Sequence, residues 1–179
     1  MQLFENYRVQ AALLKLASLW PVKYDAPYVP APMPVIRKML AFAEVGKNDI
    51  VYDLGCGDGR TVITAACEYG AQAVGIELDI FRYLWCQALV TLLGLRGRVK
   101  IIFGSFFAKD LSEASLVACY LGQETNQKIQ AKFKEELQPN TRIVSYNFTF
   151  PELTLIRQDE EAGLYLYHHG EINEQELDS

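Results

Sequence analysis

Little in this chain suits metal or disulfide chemistry. Its four cysteines, Cys56, Cys67, Cys86 and Cys119, include no C-x-x-C pair, and its two histidines, His168 and His169, are adjacent. Neither pattern has the spacing of a metal-ligand set, so no metal is expected. Cys67 and Cys119 lie in apolar runs and are expected to be buried thiols, which suits a reducing, cytoplasmic compartment. Basic residues are also scarce: 17 Lys and Arg stand against 22 Asp and Glu, for a net charge of -5. A phosphate backbone needs a basic surface, so no nucleic-acid partner is expected. Internal repeats and low-complexity segments are absent, and no apolar run is long enough to span a bilayer.

What remains is a chain of 179 residues, half of them apolar. That is enough for one domain with a real core and too few for two. The stretch that organises it is Ile50-Val51-Tyr52-Asp53-Leu54-Gly55-Cys56-Gly57-Asp58-Gly59-Arg60. Ile50 and Val51 begin a short buried strand. Asp53 falls at its carboxyl end, where open α/β sheets bind ligands. Three alternating glycines let the backbone turn and let a ligand approach main chain, and a helix from Thr61 points free N–H groups at the same place.

The spacing selects the ligand. A dinucleotide loop reads G-x-G-x-x-G around a pyrophosphate, whereas this loop reads D-x-G-x-G-x-G with Asp53 and Asp58 flanking the turn. Two carboxylates repel a pyrophosphate and suit a cationic ligand, such as S-adenosylmethionine (SAM) with its ammonium and sulfonium. At these residues the chain resembles the class I, seven-strand SAM-dependent methyltransferases. The implied fold is α/β: a Rossmann-like sheet with helices on both faces and a C-terminal antiparallel hairpin.

The remaining segments read in order. Residues 3–20 have helical spacing and end at Pro21. They read either as a helix packed on the domain or as one lying on a membrane or partner. Residues 21–34 hold five prolines and read as a stiff, extended lead-in. It is either a linker or a flap across the pocket with Tyr28 pointing in. Residues 35–44 form a helix ended by Gly46. A second strand, 73–77, ends in Glu77, placed to accept both hydroxyls of a ribose. Asp79 caps the helix over 79–93. Strands are expected at 99–103, 115–121 and 141–146, and a helix at 123–137. Two runs, 153–156 and 164–167, flank an acidic turn and read as a hairpin.

A closer resemblance rests on several motifs in one order. They are Pro27-Tyr28-Val29-Pro30-Ala31-Pro32, the glycine loop, Val74-Gly75-Ile76-Glu77, Asp110-Leu111-Ser112-Glu113-Ala114, the run from Glu136 to Ser145, and Leu164-Tyr165-Leu166-Tyr167. Over residues 24–168 the chain is similar to the small protein-lysine methyltransferases that comprise the archaeal broad-specificity enzymes and the FAM173 group. That resemblance implies SAM as cofactor, S-adenosylhomocysteine as product and a protein lysine as substrate. It also implies membrane proteins as substrates of some members, and hence peripheral membrane contact through residues 3–20 as one reading. It divides the chain into a lead-in over 1–27, a methyltransferase domain over 28–170 and a polar tail over 171–179. Cofactor contacts fall to Tyr28, Asp53, Gly55, Gly57, Asp58, Gly59, Glu77, Ser105 and Phe106. Tyr28, Tyr120 and Tyr146 are candidates to wall the reacting amine. The chain carries Tyr146 where family members often have His, and Ser105 where they often have Asp or Asn. Two other readings stand beside this one: a small-molecule N- or O-methyltransferase, and a SAM-binding module without chemistry.

Overall fold

The computed structural model describes residues 30–170. Residues 3–20, Tyr28 and the tail over 171–179, for which the sequence carries expectations, lie outside the described residues.

Helix α1 (Met33–Phe42) begins directly after Pro32, with Pro34 in its first turn, where a missing N–H costs nothing. Strand β1 (Ile50–Leu54) leads through the glycine loop to α2 (Arg60–Glu68). Then follow β2 (Gln72–Glu77), α3 (Ile80–Leu92), β3 (Val99–Phe103), a 3-10 turn (Phe106–Ala108), β4 (Leu116–Cys119), α4 (Gln123–Glu136), β5 (Arg142–Tyr146), β6 (Thr154–Asp159) and β7 (Leu164–His168). The seven strands make one sheet in the order β3-β2-β1-β4-β5-β7-β6. Strands β1 to β5 pair in parallel, and β7 runs antiparallel to both β5 and β6. The chain winds outward from β1 to β3, then returns to place β4 on the other side of β1. The crevice between β1 and β4 is therefore the point at which ligands bind in such sheets.

Alternation along β1 explains the two cores. Val51 joins a cluster with Met39, Leu40, Val62, Ile63, Leu89 and Val90, contributed by α1, α2 and α3. Tyr52 and Leu54 point the other way, into a cluster with Ile129, Phe133 and Phe150 beneath α4. A strand covered on both faces is apolar at nearly every position, so a polar side chain at its end stands out. Asp53 is that residue.

Several boundaries differ from those read in the sequence. Helix α1 ends at Phe42 rather than near Gly46, because Glu44 takes the left-handed conformation (φ 54°). Val45 N–H then bonds the Leu40 carbonyl and Glu44 N–H that of Ala41, which closes the helix without a glycine. Strand β4 is shorter than 115–121, since Tyr120 and Leu121 have already left the ladder. Strand β6 runs on to Asp159 across a bulge between Leu155 and Arg157, so the turn is tighter than its acidic composition suggests. Cys67 is exposed, not buried: it sits in the last turn of α2 on the side facing solvent, whereas Cys56, Cys86 and Cys119 are buried.

At the amino end of the strands, far from that crevice, Asp49 gathers three donors. Ser115 Oγ donates to it at 2.6 Å, Gly46 N–H at 2.8 Å, and the Arg142 guanidinium pairs with it. Burial alone would raise its pKa, but these hydrogen bonds prevail and hold the carboxyl below its usual value. The stabilisation is present at neutral pH and is lost as pH falls through that depressed pKa. Asp49→Ala should cost about 1–3 kcal/mol at pH 7, by the worth of hydrogen bonds to a charged group, and less than that near pH 3. Chemical denaturation at the two pH values measures it, and SAM affinity should not change.

Candidate functional site

The carboxyl ends of β1, β2, β3 and β4 converge on the loop over residues 55–59. Gly55, Gly57 and Gly59 all have positive φ (79°, 57° and 81°), which is why glycine recurs at alternate positions. Gly59 caps α2. A Cβ on Gly55 would lie 3.6 Å from Leu121 Cδ2, so the loops after β1 and β4 face each other across the crevice.

Glu77, at the end of β2, ties this loop down. It is 6% exposed. Oε2 accepts the Gly57 N–H at 2.8 Å and Oε1 accepts the Asp79 N–H at 2.8 Å. Asp79 in turn accepts the N–H groups of Phe81 and Arg82 as the cap of α3. Each Glu77 oxygen keeps a second acceptor site, so the carboxylate can still receive two hydroxyls from a ligand. Burial raises its pKa, opposed by the Asp79 and Gly57 N–H groups and the charge of Arg82. The Glu77 carbonyl accepts the Gly104 N–H at 2.9 Å, which brings Ser105 and Phe106 alongside. Ser105 Oγ accepts the Phe107 N–H at 3.3 Å and so shapes the 3-10 turn. Phe106 packs against Phe107 with ring centroids 4.7 Å apart.

Asp53 is buried at the centre. Desolvation pushes its pKa up to about 7, against a hydrogen bond from Thr61 and with the charges of Glu77 and Asp58 adding to the rise. Among the described residues no positive charge is among the influences on it. A buried acid among acids is an environment that a cation would relieve. Asp58 differs: its carboxylate is engaged by the Arg60 side chain, with Nε at 2.8 and 3.0 Å from its two oxygens. Arg60 Nη1 also donates to the Ala31 carbonyl at 2.8 Å. Asp58 thus spends its charge on Arg60 and joins the loop to the end of the proline-rich lead-in. The pair D-x-R directly after the glycines is the sequence signal for it.

A second group lies at the ends of β4 and β5. Tyr120 and Tyr146 pack with centroids 4.9 Å apart, and Phe148 stacks on Tyr120 at 6.4 Å. The turn that carries Tyr146 and Phe148 is held by Asn126 Nδ2, which donates to Ser145 Oγ at 3.4 Å and to the Phe148 carbonyl at 3.3 Å. Asn147 takes φ 64° there, and its N–H donates to the Gly163 carbonyl at 2.7 Å. Phe148 and Asn126 do not stand out in the sequence; an aromatic after a strand and an Asn in a helix are too common to mark a site. Among the described residues no group of three or more His, Cys, Asp or Glu could hold a metal ion.

Comparison with known proteins decides what such a crevice belongs to. Residues 53–157 match a family model described as the ANTKMT methyltransferase domain. The chain belongs to that family. The methyltransferase is 41% identical over 152 residues to a protein-lysine N-methyltransferase of Saccharolobus islandicus, covering 81% of this chain and 94% of that protein. It is 31% identical over 137 residues to the adenine nucleotide translocase lysine N-methyltransferase of Mus musculus, covering 73% of this chain and 57% of the other. The methyltransferase thus spans little more than half of that larger relative. Among solved structures it resembles one described as an RNA methyltransferase from Salinibacter ruber in complex with S-adenosyl-L-homocysteine. There the TM-score is 0.76 and the identity 38%, over 84% of this chain and 100% of the other. The methyltransferase uses SAM, and its sheet is the Rossmann-like one that the glycine loop implied.

The loop geometry yields a direct expectation. Glu77→Ala removes the acceptor for Gly57 N–H together with both open acceptor sites, and hydrogen bonds to a charged group are worth roughly 1.5–3 kcal/mol each. SAM affinity measured by calorimetry should fall at least ten-fold, while Glu77→Gln, which keeps one acceptor oxygen, should lose less.

Proposed function

We propose that this protein transfers methyl groups from SAM to the ε-amine of lysine in a protein substrate. The observation that carries the reading is the 41% identity to a protein-lysine N-methyltransferase of which the chain covers 94%. In this reading Glu77 accepts the ribose hydroxyls, and Ser105 and Phe106 border the adenine. Asp53 faces the cationic end of SAM, with the Gly55, Gly57 and Gly59 main chain against its amino-acid part. Asp58 contributes through Arg60 and the loop rather than as a free charge. Tyr28 lies outside the described residues, and its contact with the cofactor rests on the family resemblance alone.

The bound SAM supplies a methyl group on a sulfonium, already a good leaving group. The protein must align the amine with it, and alignment can contribute about 7–11 kcal/mol to lowering the barrier. A lysine must also lose its proton. With a free pKa near 10.4, about one in a thousand is neutral at physiological pH, a cost of roughly 4 kcal/mol. An apolar slot beside a sulfonium lowers that pKa through desolvation and like-charge repulsion, so no strong base is required. Tyr120, Tyr146 and Phe148 supply such a wall: three rings, half-buried, at the strand ends next to the glycine loop. The short connection from β5 to β6, residues 147–153, adds no large lid of the kind that encloses a small-molecule substrate.

The description of the Salinibacter structure gives RNA as the rival substrate. A net charge of -5 opposes it, since phosphate contacts depend on a basic surface. Incubation with methyl-labelled SAM and a cell lysate separates the two. Label should survive nuclease, be lost to protease and appear as methyllysine after hydrolysis. Label in RNA, or in small molecules alone, would contradict the proposal, and no label at all would leave only a SAM-binding module. With a protein substrate identified in this way, Tyr146→Ala or Tyr120→Ala should lower turnover on the order of ten-fold, by the worth of a desolvated cation–π contact, with SAM affinity within about two-fold of the native value.

A further inference from the structure

Two thiols stand behind the glycine loop. Cys56 belongs to the loop itself, and Cys86 reaches it from the second turn of α3. Both are buried in the core cluster shared by α1, α2 and α3. Cys86 Sγ donates to the Gly57 carbonyl at 3.0 Å. The fit depends on a missing side chain, because a Cβ on Gly59 would lie 3.0 Å from that sulfur. Gly75 makes the same room for Cys56, whose sulfur would lie 2.6 Å from a Cβ there. The Cys56 thiol is hydrogen-bonded to Cys86, and that bond together with burial pushes its pKa well up, so it stays protonated. Gly57 is thereby held through both of its peptides. Glu77 accepts the N–H of the one before it at 2.8 Å, and Cys86 donates to the carbonyl of the one after it.

The consequence falls on Asp58. The N–H groups of Gly55 and Cys56 both go to the Ile76 carbonyl, that of Gly57 to Glu77, that of Gly59 to the Cys56 carbonyl and that of Arg60 to Asp58 Oδ1. From Gly55 to Arg60, the Asp58 N–H alone has no acceptor among the described residues. Across a trans peptide the carbonyl and the following N–H point in opposite directions. With its carbonyl turned to Cys86 and the core, the Gly57–Asp58 peptide aims the Asp58 N–H away from the core. We infer that Cys86 is a positioning residue for SAM: its thiol sets the plane of the Gly57–Asp58 peptide, and the Asp58 N–H so aimed receives the carboxylate of SAM. Helix α2 begins at Arg60, and the N-terminal end of its dipole favours an anion in the same place. The two ends of the amino-acid part are then separated by charge. Asp53 faces the ammonium, and Asp58 offers main chain to the carboxylate while its own side chain is occupied by Arg60. The inference rests on the amino-acid part of SAM lying against this loop, and not on lysine as the substrate.

Calorimetry on the full-length protein with two ligands tests this. Decarboxylated SAM keeps the adenine, ribose, sulfonium and ammonium of SAM and lacks only the carboxylate. Cys86→Ala removes the donor. It should bind SAM about five- to ten-fold more weakly, the worth of one hydrogen bond, and decarboxylated SAM within about two-fold of the native value. Cys86→Ser keeps a donor and should restore most of the SAM affinity. Val90→Ala, one turn further along α3 in the same core cluster, should lower the melting temperature and leave both affinities unchanged. Should Cys86→Ala not fold, Cys86→Val, which also lacks the donor, takes its place. A measurement on the native protein is independent of any variant. Saturating SAM should slow hydrogen exchange of the Asp58 amide by about ten-fold or more, and saturating decarboxylated SAM should not. Three findings would overturn the inference: native SAM affinity without the thiol, equal loss of affinity for the two ligands, or an Asp58 amide that SAM leaves unprotected or that both ligands protect alike. A native protein that bound neither ligand would instead contradict the use of SAM itself. None of these outcomes bears on lysine transfer, so failure of the inference leaves the proposed function standing.

Discussion

The buried carboxylate of Glu77 is the contact on which the site depends. One oxygen holds Gly57 in the loop after β1, the other holds Asp79 at the start of α3. Through its own carbonyl the same residue receives Gly104 from the loop after β3. Three loops from three strands are thereby locked to the end of β2. A shorter acid could not reach Gly57, and an amide would place a donor against an N–H. The glycines follow from this constraint, because the turn that presents Gly57 N–H to Glu77 requires left-handed backbone at Gly55, Gly57 and Gly59.

Electrostatics then give the loop its selectivity. Three carboxylates stand within one turn of chain and one adjacent strand end. Asp58 is neutralised internally by Arg60. Glu77 is stabilised by main-chain donors. Asp53 has Thr61 alone as a donor among the influences on it, and its pKa rises to about 7. Among the described residues, Asp53 is therefore an acid in a low-dielectric setting with no cation among the influences on it. That is unfavourable for an anionic ligand and favourable for a cationic one, which separates a SAM crevice from the pyrophosphate loops that a glycine count alone would suggest. The same fold puts the aromatic cluster of Tyr120, Tyr146 and Phe148 at neighbouring strand ends.

The sheet is legible in the sequence because its strands are short β-branched runs with carboxylates or glycines at their carboxyl ends, and both halves of that pattern have a physical cause. Asp53, Glu77 and the cap Asp79 are readable for the same reason: polar residues where an apolar strand stops. Arg60 is readable only in its local half: D-x-R signals the pairing with Asp58, but the bond to Ala31, twenty-nine residues earlier, is brought about by the fold alone. Cys67 misleads through its apolar neighbours, since the helical face that decides its exposure turns on the whole of α2. Asn126 is buried in a polar helix and secures the Tyr146–Phe148 turn from a different layer of the molecule. Such contacts between elements carry no local signature.

The central claim is that Asp53 is held partly protonated until a cation arrives. A cation beside it favours the ionised form, lowers its pKa and expels its proton. With its pKa raised to about 7, a large share of the Asp53 carboxyls is protonated at pH 6.5. The α-amino group of SAM, by analogy with a free α-amine, stays charged at that pH. Calorimetric titration of SAM into the protein at pH 6.5, repeated in two buffers of different ionisation enthalpy, counts the protons exchanged. The expected result is net proton release on SAM binding by the native protein, and near zero for Asp53→Asn. Binding with no proton release by the native protein, or with proton uptake, would contradict it.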